Sequence, residues 1–257
     1  MMPPMKPINL LRAVFRPFGY DLRRRHDLYA DLRRLLPDGA KTLFDVGANV
    51  GDVTARLRRC FPGAAVHCFE PFDNAFGRLR DRFREDPNVH PVQSAVAERC
   101  GSATSYLCQK DTCNSLLAPA AEARDWVSAK KITNVGSMEV PLVTLDEYCR
   151  KEAIDRIDFL KIDVQGAEML VLRGAEGLLA RSAISLLYLE ANFVPLYQGQ
   201  ASFHELLAHL AERGYALFNL YDWRHGRRLP QLLWANALFV TGAVRSAALK
   251  AAGTTQP

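Results

Sequence analysis

The sequence predicts one α/β domain: a mostly parallel, seven-stranded sheet with helices on both faces and a single reversed strand near one end. Three observations predict it. Strand-like and helix-like segments alternate from Ala40 onward. The strand-like segments are apolar runs suited to a sheet that is buried on both faces. The last two strands are joined only by Asp222–Pro230, so the second returns antiparallel to its neighbours.

Taken in order, Lys41–Val46 reads as a short buried strand and Gly51–Cys60 as the helix after it. Ala64–Phe69 is the second strand, and Asn74–Phe83 carries helical apolar spacing. Val89–Val96 is the third strand. Ile157–Ile162 is the fourth, followed by the helical run Ala167–Ala180, and Ile184–Glu190 is the fifth. A helix around Phe203–Arg213 stops at Gly214, which tolerates the left-handed position past a helix end. Tyr215–Leu220 and Ala235–Thr241 complete the sheet. Between Gly101 and Arg150 an insertion interrupts the alternation, with short strands at Thr104–Gln109 and Glu139–Val143 and a polar stretch, Lys110–Asn114. No repeat or linker marks a second domain. The expected organisation is a basic helical arm over residues 1–39, the α/β domain over 40–241 and a disordered tail over 242–257.

Composition narrows the class. Of 257 residues, 49% are apolar and 24% charged, as in an ordinary globular protein. No apolar run reaches the roughly 18 residues of a membrane-spanning helix. Arg12, Arg16 and Arg23–Arg25 break up any signal-like apolar segment, so the expected compartment is the cytoplasm. Six scattered cysteines show no metal spacing and read as free thiols in a reducing environment. Residues 1–40 hold eight Lys/Arg against four Asp, which accounts for +4 of the net +5. We expect a solvated helical face there; contact with an anionic membrane or a phosphate-bearing partner is the alternative. The near-neutral remainder argues against a dedicated nucleic-acid binder. Composition leaves open whether the chain forms a homodimer.

The most informative stretch is TLFDVGANVGDVT, Thr42–Thr54. A buried strand runs into Asp45, then Gly47, Ala48, Asn49 and Gly51, then a helix. Glycines there permit positive φ and close approach of a ligand to the backbone, at the sheet edge where open α/β folds bind ligands. A nicotinamide enzyme would show G-x-G-x-x-G with a helix N-terminus facing pyrophosphate. Here Asp45 and Asp52 flank a G-x-x-x-G, and carboxylates would repel pyrophosphate. They suit the ammonium and sulfonium of S-adenosylmethionine. The second strand ends in CFEP, placing Glu70 where an acidic side chain can accept both ribose hydroxyls. Pro71 follows it, and Phe72 is placed against the adenine. Ser94 and Ala95, at the end of the third strand, are expected at the adenine edge.

With these residues in hand, the sequence resembles the FkbM family of methyltransferases. The matching pieces are FDVGANVGDVT, CFEP, SAVAE (Ser94–Glu98), TLDEYC (Thr144–Cys149), IDFLKIDVQGAEMLVLRGA (Ile157–Ala175), LLYLEANFVPLY (Leu186–Tyr197) and WANALFV (Trp234–Val240). They fall in the family's order over roughly residues 20–241. The resemblance implies the Rossmann-like fold of class I methyltransferases, S-adenosylmethionine as donor, and O-methylation of a small molecule such as a sugar, glycan or polyketide-type product. Methyltransferases acting on RNA or protein, a non-catalytic nucleoside-binding module and a nicotinamide-linked oxidoreductase are the competing readings.

An aliphatic hydroxyl must lose its proton as the methyl arrives, so a base or a metal should stand near the sheet edge. Asp163 ends the fourth strand, Glu190 the fifth, and Glu168 starts the helix after Asp163. Three carboxylates at one mouth form either a base with supporting groups or a divalent-cation site, Mg²⁺ being one candidate. Each has a plainer reading. Asp163 could cap a helix or contact the cofactor, Glu168 could favour a helix dipole, and Glu190 could be a solvated strand end. His204 is the alternative base, unless it lies on a helix surface. Asn114 and Ser115 are weaker acceptor-binding candidates, and Lys161 is read as facing a sheet surface without a role. The fourth strand is followed by DVQG rather than the D/N-P-P-Y/F of base-amine methyltransferases, which favours an oxygen acceptor.

Overall fold

The structure is a computed structural model; it describes Pro17, residues 26–226 and 229–251, and Gly253. The described chain opens with α1 (Leu28–Leu35), β1 (Thr42–Val46), α2 (Asp52–Cys60), β2 (Ala65–Phe69), α3 (Asp73–Arg82), β3 (Val89–Val92) and β4 (Ala95–Val96). It continues with β5 (Gly101–Cys108), the short helices α4 (Ala123–Trp126) and α5 (Ala129–Ile132), β6 (Asn134–Val143) and α6 (Leu145–Lys151). The last part holds β7 (Ile157–Ile162), α7 (Glu168–Arg173), α8 (Glu176–Ala180), β8 (Ile184–Asn192), α9 (Phe203–Ala211), β9 (Tyr215–His225), β10 (Leu232–Thr241) and α10 (Gly242–Ala251).

Seven strands form the main sheet in the order β3-β2-β1-β7-β8-β10-β9. All pairings are parallel except those of β10, which runs antiparallel to both β8 and β9. This is the class I methyltransferase arrangement, with its reversed strand where the sequence places it. Successive residues of each central strand feed opposite faces. Phe44, Leu160, Leu187 and Phe239 enter one buried cluster, and Leu43, Phe159, Leu186 and Leu238 the other. Because both faces are covered, these strands have no polar side and read as apolar runs.

Several expectations are corrected. The third strand breaks at Gln93–Ser94, and Ala95–Val96 leaves the main sheet to pair with β6 in a separate three-stranded sheet, β4-β6-β5. The single helix expected over Ala167–Ala180 is two, divided at Gly174. A Cβ at Gly174 would lie 2.0 Å from the Ala97 carbonyl oxygen, so close packing against that loop sets the break. The late strands are longer than their apolar cores suggest, because the β9–β10 ladder continues to Leu232 opposite His225. Of the segment expected as a disordered tail, Gly242–Ala251 forms α10, with Val244 and Ala248 packed on the cluster that α1 enters. Of the basic arm, α1 is capped by the Asp27 carboxylate and buries Leu28, Leu32 and Leu35. Arg12, Arg16 and Arg23–Arg25 lie outside the described residues. Among the described residues no helix is long and apolar enough to cross a membrane.

Candidate active site

The loop after β1 is held from three sides. Gly47 N–H and Ala48 N–H both donate to the Phe69 carbonyl at 3.0 Å, joining the ends of β1 and β2. Gly47 has φ +74°, and a Cβ there would sit 1.9 Å from the Asp163 carbonyl oxygen, so the loop also presses on the end of β7. Gly51 has φ +82°, and its missing side chain leaves room for Phe83 and Leu79. Asn49 takes a left-handed φ of 48°. Its Oδ1 accepts from Val50 N–H at 2.8 Å, a local turn that offsets the strain.

Glu70 is buried and completes the loop. Its Oε2 accepts from Asn49 N–H at 2.8 Å and its Oε1 from Phe72 N–H at 3.1 Å. Burial pushes its carboxyl above the usual range, against the two amide donors that favour the anion. Gly47, Pro71, Phe72, Ser94 and Ala95 line one narrow cleft with Phe69, Leu116 and Val164. The structure therefore brings together the sequence-predicted loop glycine and the residues expected around an adenine.

Asp45 does not face that cleft. It is fully buried under the loop, where its carboxylate accepts from Thr54 Oγ1 at 2.7 Å and pairs with Lys161 Nζ at 3.0 Å. Asp52 also turns away, to Arg82 at 2.7 Å on the surface. Neither loop carboxylate is placed to meet a cation in the cleft, which corrects the reading made from their position in sequence. Lys161, read as facing a sheet surface, is the buried partner. Register sets Asp45 beside Lys161 and Lys161 beside Tyr188 across β1, β7 and β8. Its ammonium also donates to the carbonyls of Val46 at 3.2 Å and Gly47 at 2.7 Å. Burial alone would lower the Lys161 pKa; Asp45, Asp163 and Glu70 together outweigh it and raise it. The signal was in the sequence: a lysine inside an apolar strand of a doubly covered sheet has to be paired.

The three predicted carboxylates do converge, but their surroundings differ. Asp163 and Glu190 are bridged by the side-chain amide of Gln165, whose Nε2 donates to Asp163 at 2.8 Å and to Glu190 at 3.0 Å. Burial first, then the Asp163 and Glu168 charges, drive the Glu190 carboxyl well above its ordinary range. Glu168 is buried and accepts from the Gly166 and Val164 amides at 3.2 and 3.3 Å; burial pushes it up to about 7. Gln165 is fixed in turn. Tyr197 Oη donates to its Oε1 at 3.0 Å, Ser115 Oγ donates to its carbonyl at 2.8 Å, and its φ is +58°. Gly166, at φ +92°, leaves the space the Tyr197 ring occupies. Among the described residues no group of three His, Cys, Asp or Glu is arranged to hold a metal ion.

Three candidates take other roles. His204 is exposed at the start of α9, its Nδ1 2.8 Å from Ser202 Oγ, beside the Ser202–Glu205 capping box. Asn114 Oδ1 accepts from Cys108 N–H at 2.8 Å, which shapes the insertion. Ser115 is buried and ties the insertion to Gln165. Besides Lys161, sequence reasoning missed Gln165, Tyr197 and Asn192. Asn192 lies two residues beyond Glu190 on the same strand, hence on the same face. Its Oδ1 is buried without a hydrogen-bond partner among the described residues.

Beside Asp163 opens a cavity of about 530 Å³. Its walls are the start of α1 (His26–Tyr29), Val53 and Arg56 of α2, and Lys161, Tyr188, Tyr221, Asp222 and Asn236 from the sheet side.

A family model described as Methyltransferase FkbM domain matches residues 45–217. The chain is similar to a 2-O-methyltransferase, NoeI, of Sinorhizobium fredii: 25% identity over 77% of this chain and 83% of that one. It is similar to the 31-O-demethyl-FK506 methyltransferase FkbM of Streptomyces tacrolimicus, at 29% identity over 52% of this chain and 59% of that one. The hexuronic acid methyltransferase AglP of Haloferax volcanii shows 27% identity over 60% of this chain and 57% of that one. The chain thus spans less than two thirds of the latter two relatives. Among solved structures, Aeropyrum pernix fibrillarin with bound S-adenosyl-L-methionine matches at 13% identity, TM-score 0.45, over 79% of this chain and 66% of that one. A likeness that distant has no bearing on the acceptor.

Proposed function

The chain belongs to the FkbM methyltransferase domain family, and from that premise we propose that it is an S-adenosylmethionine-dependent O-methyltransferase. The acceptor we propose is a hydroxyl of a small molecule, a sugar, glycan or polyketide-type product. Relatives named for 2-O-, 31-O- and hexuronic acid methylation support that class. Six free thiols support a reducing compartment, the cytoplasm.

The observation that carries the reading is the Asp163–Gln165–Glu190 cluster at the carboxyl edge of β7 and β8, adjoining the Gly47 loop. The cleft fits the donor. Gly47 presents bare backbone where a Cβ would clash, Glu70 offers two fixed oxygens to the ribose hydroxyls, and Phe72 with Phe69 offers apolar surface to the adenine. When bound, S-adenosylmethionine supplies an electrophilic methyl on a sulfonium. The protein's part is to hold the acceptor oxygen in line and to take its proton. Glu190 is the base: burial and the neighbouring carboxylates raise its proton affinity, which makes its ionised form a better acceptor than a solvated glutamate. Gln165 orients the carboxylate through Nε2 and is itself locked by Tyr197. Asn192 Oδ1, unpartnered on the same face, accepts a second hydrogen bond from the acceptor.

The test is calorimetric titration with S-adenosylhomocysteine, with NAD as control, followed by methyl transfer from labelled donor to sugar and polyketide hydroxyls, with and without magnesium. Micromolar binding of S-adenosylhomocysteine alone, and a Glu190→Gln variant that binds it normally but does not turn over, are the expected results. A folded wild-type chain that does not bind S-adenosylhomocysteine would overturn the proposal.

A further inference from the structure

Where β8 and β10 pair beyond the core, four side chains form a patch on one face of the sheet. Register sets Glu190 opposite Asn236 and Asn192 opposite Trp234. Directly opposed residues of antiparallel strands share a face, with Cβ atoms about 4.5–5.5 Å apart. Tyr188 and Leu238, on the same alternation, enter the buried cluster that holds Phe159, so the patch stands on the Asp163 side of the sheet. Asn236 lines the cavity beside Asp163 together with Tyr188. Trp234 is half-buried and packs against the cluster that contains Leu196 and Tyr197. Asn192 is 4% exposed, and its Oδ1 has no hydrogen-bond partner among the described residues. An acceptor atom buried in that way needs a donor, and leaving it unpaired costs about 1–3 kcal/mol. A carboxylate, a phosphate or an ether oxygen cannot donate to it; a hydroxyl can.

We propose that this patch selects a polyhydroxylated ring, a sugar, which presents two neighbouring hydroxyls: one to Glu190 for methylation, the other to Asn192 Oδ1. The inference rests on the O-methyl transfer assigned above and goes beyond it by choosing between the acceptor classes. Glu190 takes the proton of the first hydroxyl as the methyl arrives. The second hydroxyl keeps its proton, donates it to Asn192 and is not methylated. Asn236, beside Glu190, binds a further oxygen on the rim of the ring, and Trp234 lies against one of its C–H faces. Amides beside an aromatic surface suit a ring whose rim is polar and whose faces are apolar. A skeleton with a single hydroxyl, as on a sparsely substituted polyketide, satisfies Glu190 but leaves Asn192 unpaired. A site built to hydrogen-bond a hydroxyl rejects the analogue that lacks it far more strongly than an apolar pocket rejects an added group. Asn192 is therefore the specificity-determining residue, and the patch favours a diol over a lone alcohol.

The experiment measures methyl transfer from labelled donor to a panel of methyl hexopyranosides, to their monodeoxy counterparts and to cyclohexanol, a ring with one hydroxyl. The expected result is turnover of at least one hexopyranoside. Its counterpart lacking the hydroxyl next to the methylated one should lose roughly 10- to 100-fold in kcat/KM, the cost of an unpaired buried acceptor. Cyclohexanol should be no better than that counterpart. Asn192→Leu should lower kcat/KM for the parent sugar by a similar factor and show no further loss for the deoxy sugar, since the bond is already gone. Trp234→Leu should raise KM for the sugar more than it lowers kcat. An unchanged thermal midpoint shows that each variant folds, and the wild-type comparison of parent and deoxy sugars needs no variant. Equal rates for parent and deoxy sugars would overturn the proposal, as would an Asn192→Leu chain that still discriminates between them. So would a wild-type chain that binds S-adenosylhomocysteine but methylates cyclohexanol as well as any sugar, or no sugar at all. If that chain does not bind S-adenosylhomocysteine, the methyl-transfer reading itself fails and this inference falls with it.

Discussion

Replacing Asp45 by asparagine removes one charge from a pair whose partner cannot reach water. The Asp45 side chain is 0% exposed and that of Lys161 5%, at a separation of 3.0 Å. Breaking such a pair leaves a buried, uncompensated ion and costs about 3–5 kcal/mol. Asparagine still accepts a hydrogen bond, so the lower end applies. A loss of about 3 kcal/mol is a large share of the 5–15 kcal/mol that holds most domains folded. For a chain of this length it lowers the thermal midpoint by roughly 6–12 °C. The damage is also local. Lys161 donates to the Val46 and Gly47 carbonyls, so a lysine forced to lose its proton or to move releases the loop that forms the cleft. Scanning calorimetry with and without S-adenosylhomocysteine separates the two effects. Asp45→Leu combined with Lys161→Met should recover at least half of the lost midpoint, because a buried pair replaced as a unit leaves no orphan charge. Ligand-induced stabilisation should not return in full, since the Val46 and Gly47 carbonyls then lack the Lys161 donor. An Asp45→Asn midpoint within experimental error of wild type, or a double variant no more stable than the single one, would refute the reasoning.

Other perturbations read the carboxylates and the loop separately. Glu168 titrates at about 7 in the folded chain and near 4.3 when unfolded, so the folded state binds the extra proton between these values. The stability this contributes is fully present below pH 4.3 and is lost as pH rises through 7, a change on the order of 3 kcal/mol. Glu168→Gln should flatten that part of the stability curve, as measured by urea midpoints from pH 4.5 to 7.5; an unchanged slope would place the proton elsewhere. For Glu190 the base has to be ionised, so kcat/KM should rise with pH through a limb displaced above the ordinary carboxylate range. Glu190→Gln should remove activity by about 100-fold or more while sparing S-adenosylhomocysteine binding. Glu70→Gln should weaken that binding by roughly tenfold, a charge-assisted hydrogen bond becoming a neutral one. Gly47→Ala should abolish it, since a Cβ would meet the Asp163 carbonyl at 1.9 Å.

The sequence carried the order of elements along the chain, the reversed late strand and the loop because these depend on short-range chemistry. Glycines at 47 and 51 and the hydrogen bond from Val50 N–H to the Asn49 side chain fix a backbone shape within a few residues, and apolar runs flanked by helices fix a covered sheet. Pairings between distant strands were not legible in the same way. Nothing within Asp158–Asp163 says that Lys161 will lie beside Asp45, yet that register decides what both residues do. It makes Asp45 the anchor of the loop instead of its ligand-facing anion. For His204 the structure has the helix-surface arrangement: Ser202 and Glu205 three residues apart mark a helix start, and a side chain between them is set on the surface.

The convergence of Asp163, Glu168 and Glu190 was visible as strand ends, but their separate tasks come from groups of no evident charge. Val164 and Gly166 amides hold Glu168 inside the turn, and burial keeps it protonated below about pH 7. Its Oε1 is taken up by the backbone. The Gln165 amide spans the other two, so they share one donor and repel each other across it; burial and the Asp163 and Glu168 charges drive the Glu190 carboxyl well above its ordinary range. The Asp163 side chain is 41% exposed. A left-handed residue costs about 1–3 kcal/mol where it is not glycine. That Gln165 is kept at φ +58° between Tyr197 and Ser115 ties the strain to the one side chain that sorts the two carboxylates. Replacing Gln165 by glycine should relieve the strain and remove the bridge. The expected variant loses no more than about 1 kcal/mol of stability, and its kcat/KM limb moves to still higher pH, because the amide donor that lowers the Glu190 proton affinity is gone. A Gln165→Gly enzyme with wild-type turnover and pH profile would show that the two carboxylates are sorted by burial alone.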